Sequence, residues 1–214
     1  MTKMIAIIDY GMCNIHSVNK ALQLYGAKTL VTNKPEDIQA CEKAVLPGVG
    51  AFDDAMQELK KQGLLPVINA HIKNKKPFLG ICLGMQLLFE KSEEAKLSRG
   101  LGILKGRVKK FADKKGLKVP HMGWNQLRKV TTSQRHNVTS SCPLLDGIQD
   151  GAFVYFCHSY YPEARSKDVT AAATDYGGDF TSIVWQDNVY GVQFHPEKSQ
   201  SIGLKMIENF VDLC

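Results

Sequence analysis

Up to Phe89, short apolar runs alternate with segments of helical period, and this alternation constrains the fold more than any other feature of the chain. Residues 4–9 read as a first strand. Asn14 then caps a helix through Tyr25 that Gly26 closes, and Ile15, Val18, Leu22 and Tyr25 keep helical spacing within it. Ala44-Val45-Leu46 reads as another short buried strand, ending in Pro47-Gly48-Val49-Gly50. A helix is expected from about Asp53 to Gln62, with Gly63 closing it, and Pro66 sits in the first turn of another through Asn74. A strand over Pro77–Ile81 leads into a helix-like run, Met85 to Phe89. Such alternation implies parallel strands with helices on both faces. In sheets of this kind ligands bind beyond the carboxyl ends of the strands.

From Gly102 onward strands dominate the reading: 102–111, 125–130, 152–157, 169–174, 181–185 and 189–194. Gly177-Gly178 and Asp187-Asn188 suit hairpin turns. A last helix is expected over Ser201–Leu213, with Ile202, Met206, Ile207 and Phe210 as its apolar side. No linker, repeat or low-complexity segment divides the chain. The expectation is one α/β domain over 1–214, with a mixed, largely parallel central sheet and helices on both faces.

At 214 residues the chain is long enough for one large core, and 44% hydrophobic against 22% charged residues is a globular balance. The apolar run before Asp9 is too short for a signal-peptide core, and no stretch approaches the ~20 residues that span a bilayer. The six cysteines show neither CxxC spacing nor a secreted framework, so a reducing cytoplasm is expected, with no metal site and no cofactor. The net charge of +6 invites a nucleic-acid reading. Its densest stretch, Lys105–Lys118, holds seven Lys or Arg against Asp113 alone, but no aromatic-rich RNA motif accompanies it. A solvated strand and turn is the simpler account, with docking of an acidic partner left open.

Two motifs carry chemistry. Gly80-Ile81-Cys82-Leu83-Gly84 stands between a buried strand and a helix, the context of a nucleophile elbow with Cys in place of Ser. The glycines allow a strained turn that exposes the sulfur, and the helix start behind it favours a thiolate. In His195-Pro196-Glu197, proline opposes helix and favours an extended His195, so alternate residues His195 and Glu197 would face one side. A carboxylate beside an imidazole fixes its tautomer and stabilises its charged form. Together the motifs predict acyl transfer through a thioester.

These motifs occur in a set with Pro47–Gly50, Pro120-His121-Met122-Gly123-Trp124-Asn125, His158-Ser159-Tyr160 and Gly191–Lys198. The set resembles the triad-type glutamine amidotransferases over essentially the whole chain, and most closely the glutaminase subunits of imidazole glycerol phosphate synthase. The resemblance implies that Cys82 attacks the side-chain amide of L-glutamine, that His195 serves as acid and then base, and that Glu197 orients it. Leu83 and the region of Val49 would supply the oxyanion donors, with a peptide of the Pro47–Gly50 strand required to turn. Gly50, Gln86, Glu94, Ser159 and Tyr160 would hold the glutamine. Trp124, Tyr155 and Lys198 would lie at the interface with a (β/α)₈-barrel cyclase, a separate polypeptide here, forming a heterodimer through which ammonia is channelled. Members of the family usually carry a small residue where this chain has Cys13, which leaves open a second modifiable thiol. A paralogue serving a sugar amidotransferase in polysaccharide synthesis would share every one of these residues. A cysteine peptidase or esterase fits the motifs less well, and a catalytically silent regulatory module would not need the three intact groups.

Overall fold

The computed structural model describes residues 4–113, 115–131 and 141–214. In chain order its strands and helices are β1 (Met4–Ile8), α1 (Ile15–Leu24), β2 (Lys28–Thr32), α2 (Pro35–Ala40), β3 (Lys43–Gly48), α3 (Phe52–Lys61), α4 (Leu64–Lys73), β4 (Phe78–Cys82), α5 (Leu83–Leu87), β5 (Lys91–Ser92), β6 (Gly106–Lys110), β7 (His121–Gln126), β8 (Arg128–Lys129), β9 (Phe153–His158), β10 (Tyr160–Ala164), β11 (Thr170–Asp175), β12 (Asp179–Gln186), β13 (Val189–Val192) and α6 (Gln200–Asp212). The main sheet runs in the order β2-β1-β3-β4-β13-β12-β11-β8. It is parallel from β2 to β13 and antiparallel beyond. Two small sheets, β10-β6-β5 and β7-β9, complete the architecture.

The sheet is covered on both sides, and the strand period sorts its side chains between two cores. Ile5, Ile7, Val45, Leu79 and Ile81 pack with Val18 and Leu22 of α1 and Met206 and Phe210 of α6. Their neighbours Ala6, Ile8, Ala44, Leu46 and Phe78 pack with Ile38, Leu59 and Ile68 of α2–α4. Each fully buried large side chain contributes roughly 1.5–3 kcal/mol. Five-residue strands apolar on both faces therefore need helices on both sides.

The structure adds elements and moves boundaries. Strand β2 and helix α2 carried no strong pattern, since β2 is half-buried and only Ile38 of α2 is buried. The strand expected over 102–111 shortens to β6, and the one over 125–130 splits into β7, starting at His121, and β8. Between them Leu127 turns fully inward. Strand β10 was hidden by Pro162, which an edge strand of a small sheet tolerates. Strand β3 extends both ways beyond 44–46. At its start, buried Lys43 donates from Nζ to the carbonyls of Phe210 (2.8 Å) and Val211 (2.7 Å), capping the end of α6. At its other end, Pro47 and Gly48 pair with β4 past the point where β1 pairing stops, so the missing N–H of proline breaks no ladder there.

The basic stretch meets acidic neighbours: Arg107 and Lys109 contact Glu163 at 2.9 and 3.2 Å, and Lys105 contacts Glu90 at 3.4 Å. Lys114 of that stretch lies outside the described residues. Among the described residues no helix is long and apolar enough to cross a membrane.

Candidate functional site

The carboxyl ends of β3 and β4, where Gly48 and Cys82 are register partners, open into a cleft of about 340 Å³. Cys82 ends β4 with φ 53° and ψ −109°, a strained conformation from which α5 departs at once. The flanking glycines turn out to serve backbone packing. A Cβ on Gly80 would stand 2.7 Å from the Gly84 carbonyl oxygen, and one on Gly84 would overlap the Leu46 carbonyl of β3. The elbow is thus wedged against β3, and that wedge holds the sulfur at the cleft.

His195 follows β13 and is extended, with φ −99° and ψ 98°. Its N–H donates to the Tyr155 carbonyl at 3.0 Å, and its own carbonyl accepts from Ser199 Oγ at 2.7 Å, tying it to β9 and to the start of α6. The expected extended run through Glu197 is corrected: Pro196 opens a 3₁₀ turn over Pro196–Lys198, a first-turn position that suits proline. The turn brings Glu197 back so that its Oε1 lies 2.9 Å from His195 Nδ1, with the carboxylate side chain 1% exposed. Burial favours the neutral imidazole, but hydrogen bonds with Cys82 and Glu197 outweigh it and raise His195 to about 10. An NMR titration of the His195 ring is therefore expected to find it protonated through neutral pH. In Glu197→Gln its midpoint should fall toward the ordinary 6.5. A ring that already titrates near 6.5 in the parent chain contradicts this geometry.

The cleft brings together every residue implied in the reaction, in glutamine binding or at the interface except Glu197, which stands behind His195, and Trp124, which lies on the outer face of the β7–β9 ribbon. The Leu83 amide, first in α5, has no intrahelical acceptor and directly follows Cys82. The Val49 amide instead donates to Met12 O at 2.8 Å, so its peptide must turn before it can serve an oxyanion. Gly50, with φ 102°, supplies slack next to it. Glu94 is half-buried, and its Oε2 accepts from the Phe52 amide at 2.9 Å at the start of α3. Ser159 and Tyr160 sit at the corner between β9 and β10. Trp124 and Tyr155 are register partners with ring centroids 6.0 Å apart, and Lys198 is exposed at the cleft rim.

Gln193 was missed. Its Nε2 lies 3.8 Å from Cys82 Sγ, and its Oε1 accepts from Gln86 Nε2 at 3.1 Å. Gln86 Nε2 also donates to the Tyr160 carbonyl at 2.9 Å. A glutamine in the apolar run 189–194, two residues before His195, was the available signal. Cys13 is half-buried with negative φ, and burial pushes its thiol up to about 11, which argues against a reactive second thiolate.

The family model described as glutamine amidotransferase class-I matches residues 6–214. The chain belongs to the class-I glutamine amidotransferases. Among its relatives in this family, the imidazole glycerol phosphate synthase subunit HisH of Methanocaldococcus jannaschii is 47% identical over 210 residues, covering 98% of this chain and all of that one. HisH 1 of Methanococcus maripaludis is 49% identical over 214 residues at the same coverages. Among solved structures, PurLQS from Thermotoga maritima superposes with a TM-score of 0.71 at 19% identity, covering 98% of each chain. The glutaminase domain of Trypanosoma brucei CTPS, solved with bound acivicin, gives 0.67 at 17% identity, covering 98% of this amidotransferase and 91% of that chain. At these identities the two structures speak for the fold alone.

Proposed function

We infer that this chain is the glutaminase subunit of an imidazole glycerol phosphate synthase, hydrolysing L-glutamine to glutamate and ammonia for histidine biosynthesis in the cytoplasm. The observation that carries the reading is the line Cys82–His195–Glu197 at one end of a cleft whose other walls bear Gly50, Glu94, Ser159 and Tyr160. Full-length similarity to chains named HisH supports the pathway.

The Cys82 thiolate attacks the side-chain amide carbon, and the carbonyl electrons move onto oxygen, which the Leu83 amide faces. Charged His195 gives its proton to the departing nitrogen, the C–N bond breaks, and ammonia leaves a glutamyl thioester. Neutral His195 then takes a proton from water as the hydroxide adds to the thioester. Collapse of that adduct releases glutamate and restores the thiolate beside a charged imidazole. Glu197 holds the ring in one tautomer and offsets its charge in both steps.

Ammonia set free into water at neutral pH is largely protonated and no longer nucleophilic. The subunit accordingly works docked on a cyclase, a (β/α)₈ barrel in a heterodimer that takes up the ammonia directly. The exposed Met122, Trp124 and Phe153, with Tyr155 and Lys198 at the cleft rim, support docking on that side. Because the Val49 amide is engaged by Met12, the oxyanion site stands half-assembled, and cyclase binding would turn the peptide. Gaining one oxyanion donor is worth roughly 10²–10³-fold in kcat. Glutamate release is therefore expected to rise by about that factor when the cyclase and its nucleotide ligand are added. No rise, with a cyclase active on free ammonia, would move the assignment to a sugar amidotransferase partner.

A further inference from the structure

The mechanism leaves unused one buried polar cluster, on the inner face of the β7–β9 ribbon. His121 and His158 are register partners there, with Nδ1 of the first 3.1 Å from Nε2 of the second. Both rings are more than nine-tenths buried. His121 is stacked between Phe156 and Tyr176, at 4.8 and 3.8 Å between centroids.

The protons in this cluster are fixed from both ends. His158 Nδ1 lies 2.8 Å from the Tyr160 carbonyl, which only accepts, so that nitrogen carries the proton and Nε2 is the acceptor. His121 must then donate from Nδ1. At the other end, Asn125 Nδ2 donates to the Asp175 carbonyl at 2.9 Å while its Oδ1 accepts from the Gln126 amide at 2.8 Å. The amide orientation is thereby set, and Nδ2 points a donor at His121 Nε2, 3.3 Å away. A second proton on either ring would set donor against donor. Burial acts in the same direction, holding His121 and His158 down to about 4 and about 3.

The line continues into the cleft. The Tyr160 carbonyl that receives His158 also receives Gln86, whose amide reaches Gln193, whose amide reaches the Cys82 sulfur. We propose that His121 and His158 are positioning residues for glutamine hydrolysis, two neutral rings whose ordered hydrogen bonds fix the Tyr160 carbonyl and, through it, the Gln86–Gln193 pair beside the nucleophile. This role rests on the glutaminase reading.

Three measurements on the heterodimer with the cyclase test it. Nitrogen spectra of ¹⁵N-histidine-labelled protein at neutral pH should show His121 and His158 both as the Nδ1–H tautomer, the minor one in free histidine. In kinetics, His158→Leu should raise the KM for glutamine by about ten- to a hundredfold through misplacement of the Tyr160 corner. His158→Asn, which keeps an N–H near the Nδ1 position, should retain most of the parent kcat/KM. Alkylation of Cys82 by iodoacetamide, which seats no glutamine, should change far less than the KM in both variants. An Nε2–H tautomer on either ring, or Asn and Leu variants with the same KM, overturns the role even where His158→Leu folds poorly. A parent protein that releases no glutamate at all instead overturns the glutaminase reading beneath it.

Discussion

Cys82→Ser should release glutamate at least about 10⁴-fold more slowly than the parent chain. The exchange preserves volume and the strained elbow, so the protein should fold as before. What it removes is a match between nucleophile and base. His195 is raised to about 10 by its bonds to Cys82 and Glu197, against the desolvation that opposes its charge. It therefore meets glutamine at neutral pH already carrying the proton that the proposed mechanism gives to the departing ammonia. A thiol is acidic enough to form an ion pair with such a ring. A serine hydroxyl is a far weaker acid and forms no ion pair with the ring. The exchange removes the Cys82 share of the shift, while Glu197 still favours the charged imidazole, which cannot take the hydroxyl proton. Glutamate release measured with the cyclase and its ligand present checks the point. Retention of even a hundredth of the parent rate would show that His195 acts as an ordinary neutral base.

The second large effect is on stability. In helices, Gly→Ala normally gains close to 1 kcal/mol, and Gly84 lies inside α5 with negative φ, so propensity alone favours alanine. The tertiary structure reverses the sign. The added methyl would overlap the Leu46 carbonyl of β3, a backbone atom in the middle of the sheet that cannot swing aside. Gly84→Ala should cost about 3–5 kcal/mol, the range of core overpacking joined to strand displacement. In a domain of this size that lowers the melting temperature by roughly 10 °C. Thermal unfolding followed by circular dichroism reads it directly, and a variant that melts at or above the parent would show that the elbow is not wedged against β3.

Much of this molecule was legible in its sequence because the signals are local. The alternation that gave β1, α1, β3, α3, α4 and β4 is a record of which faces each segment buries, and two-sided burial leaves a strong trace. The proposed nucleophile, base and carboxylate stood out because strand–turn–helix around Cys82 and the two-residue spacing of His195 and Glu197 are short-range features. Even there the route differed: Glu197 reaches His195 through a 3₁₀ turn, with the same pairing that an extended run would have given. Weak patterns went unread where burial is partial, in β2 and α2, or where proline masked an edge strand, in β10.

What no segment announces is the meeting of distant ones. Gly84 is a close contact with Leu46, Lys43 caps a helix at the opposite end of the chain, and Gln193 touches Cys82 across two strands. The engagement of the Val49 amide by Met12, and the paired rings of His121 and His158, exist only because parallel and antiparallel sheets bring those strands into register. The sequence by itself determined the parallel half of the sheet and singled out the groups proposed to react, since each follows from residue type and spacing along a few turns of chain. The tertiary structure alone decided which amides, carbonyls and rings face the sulfur, because hydrogen-bond geometry between segments far apart in the chain depends on atomic positions that no local periodicity encodes.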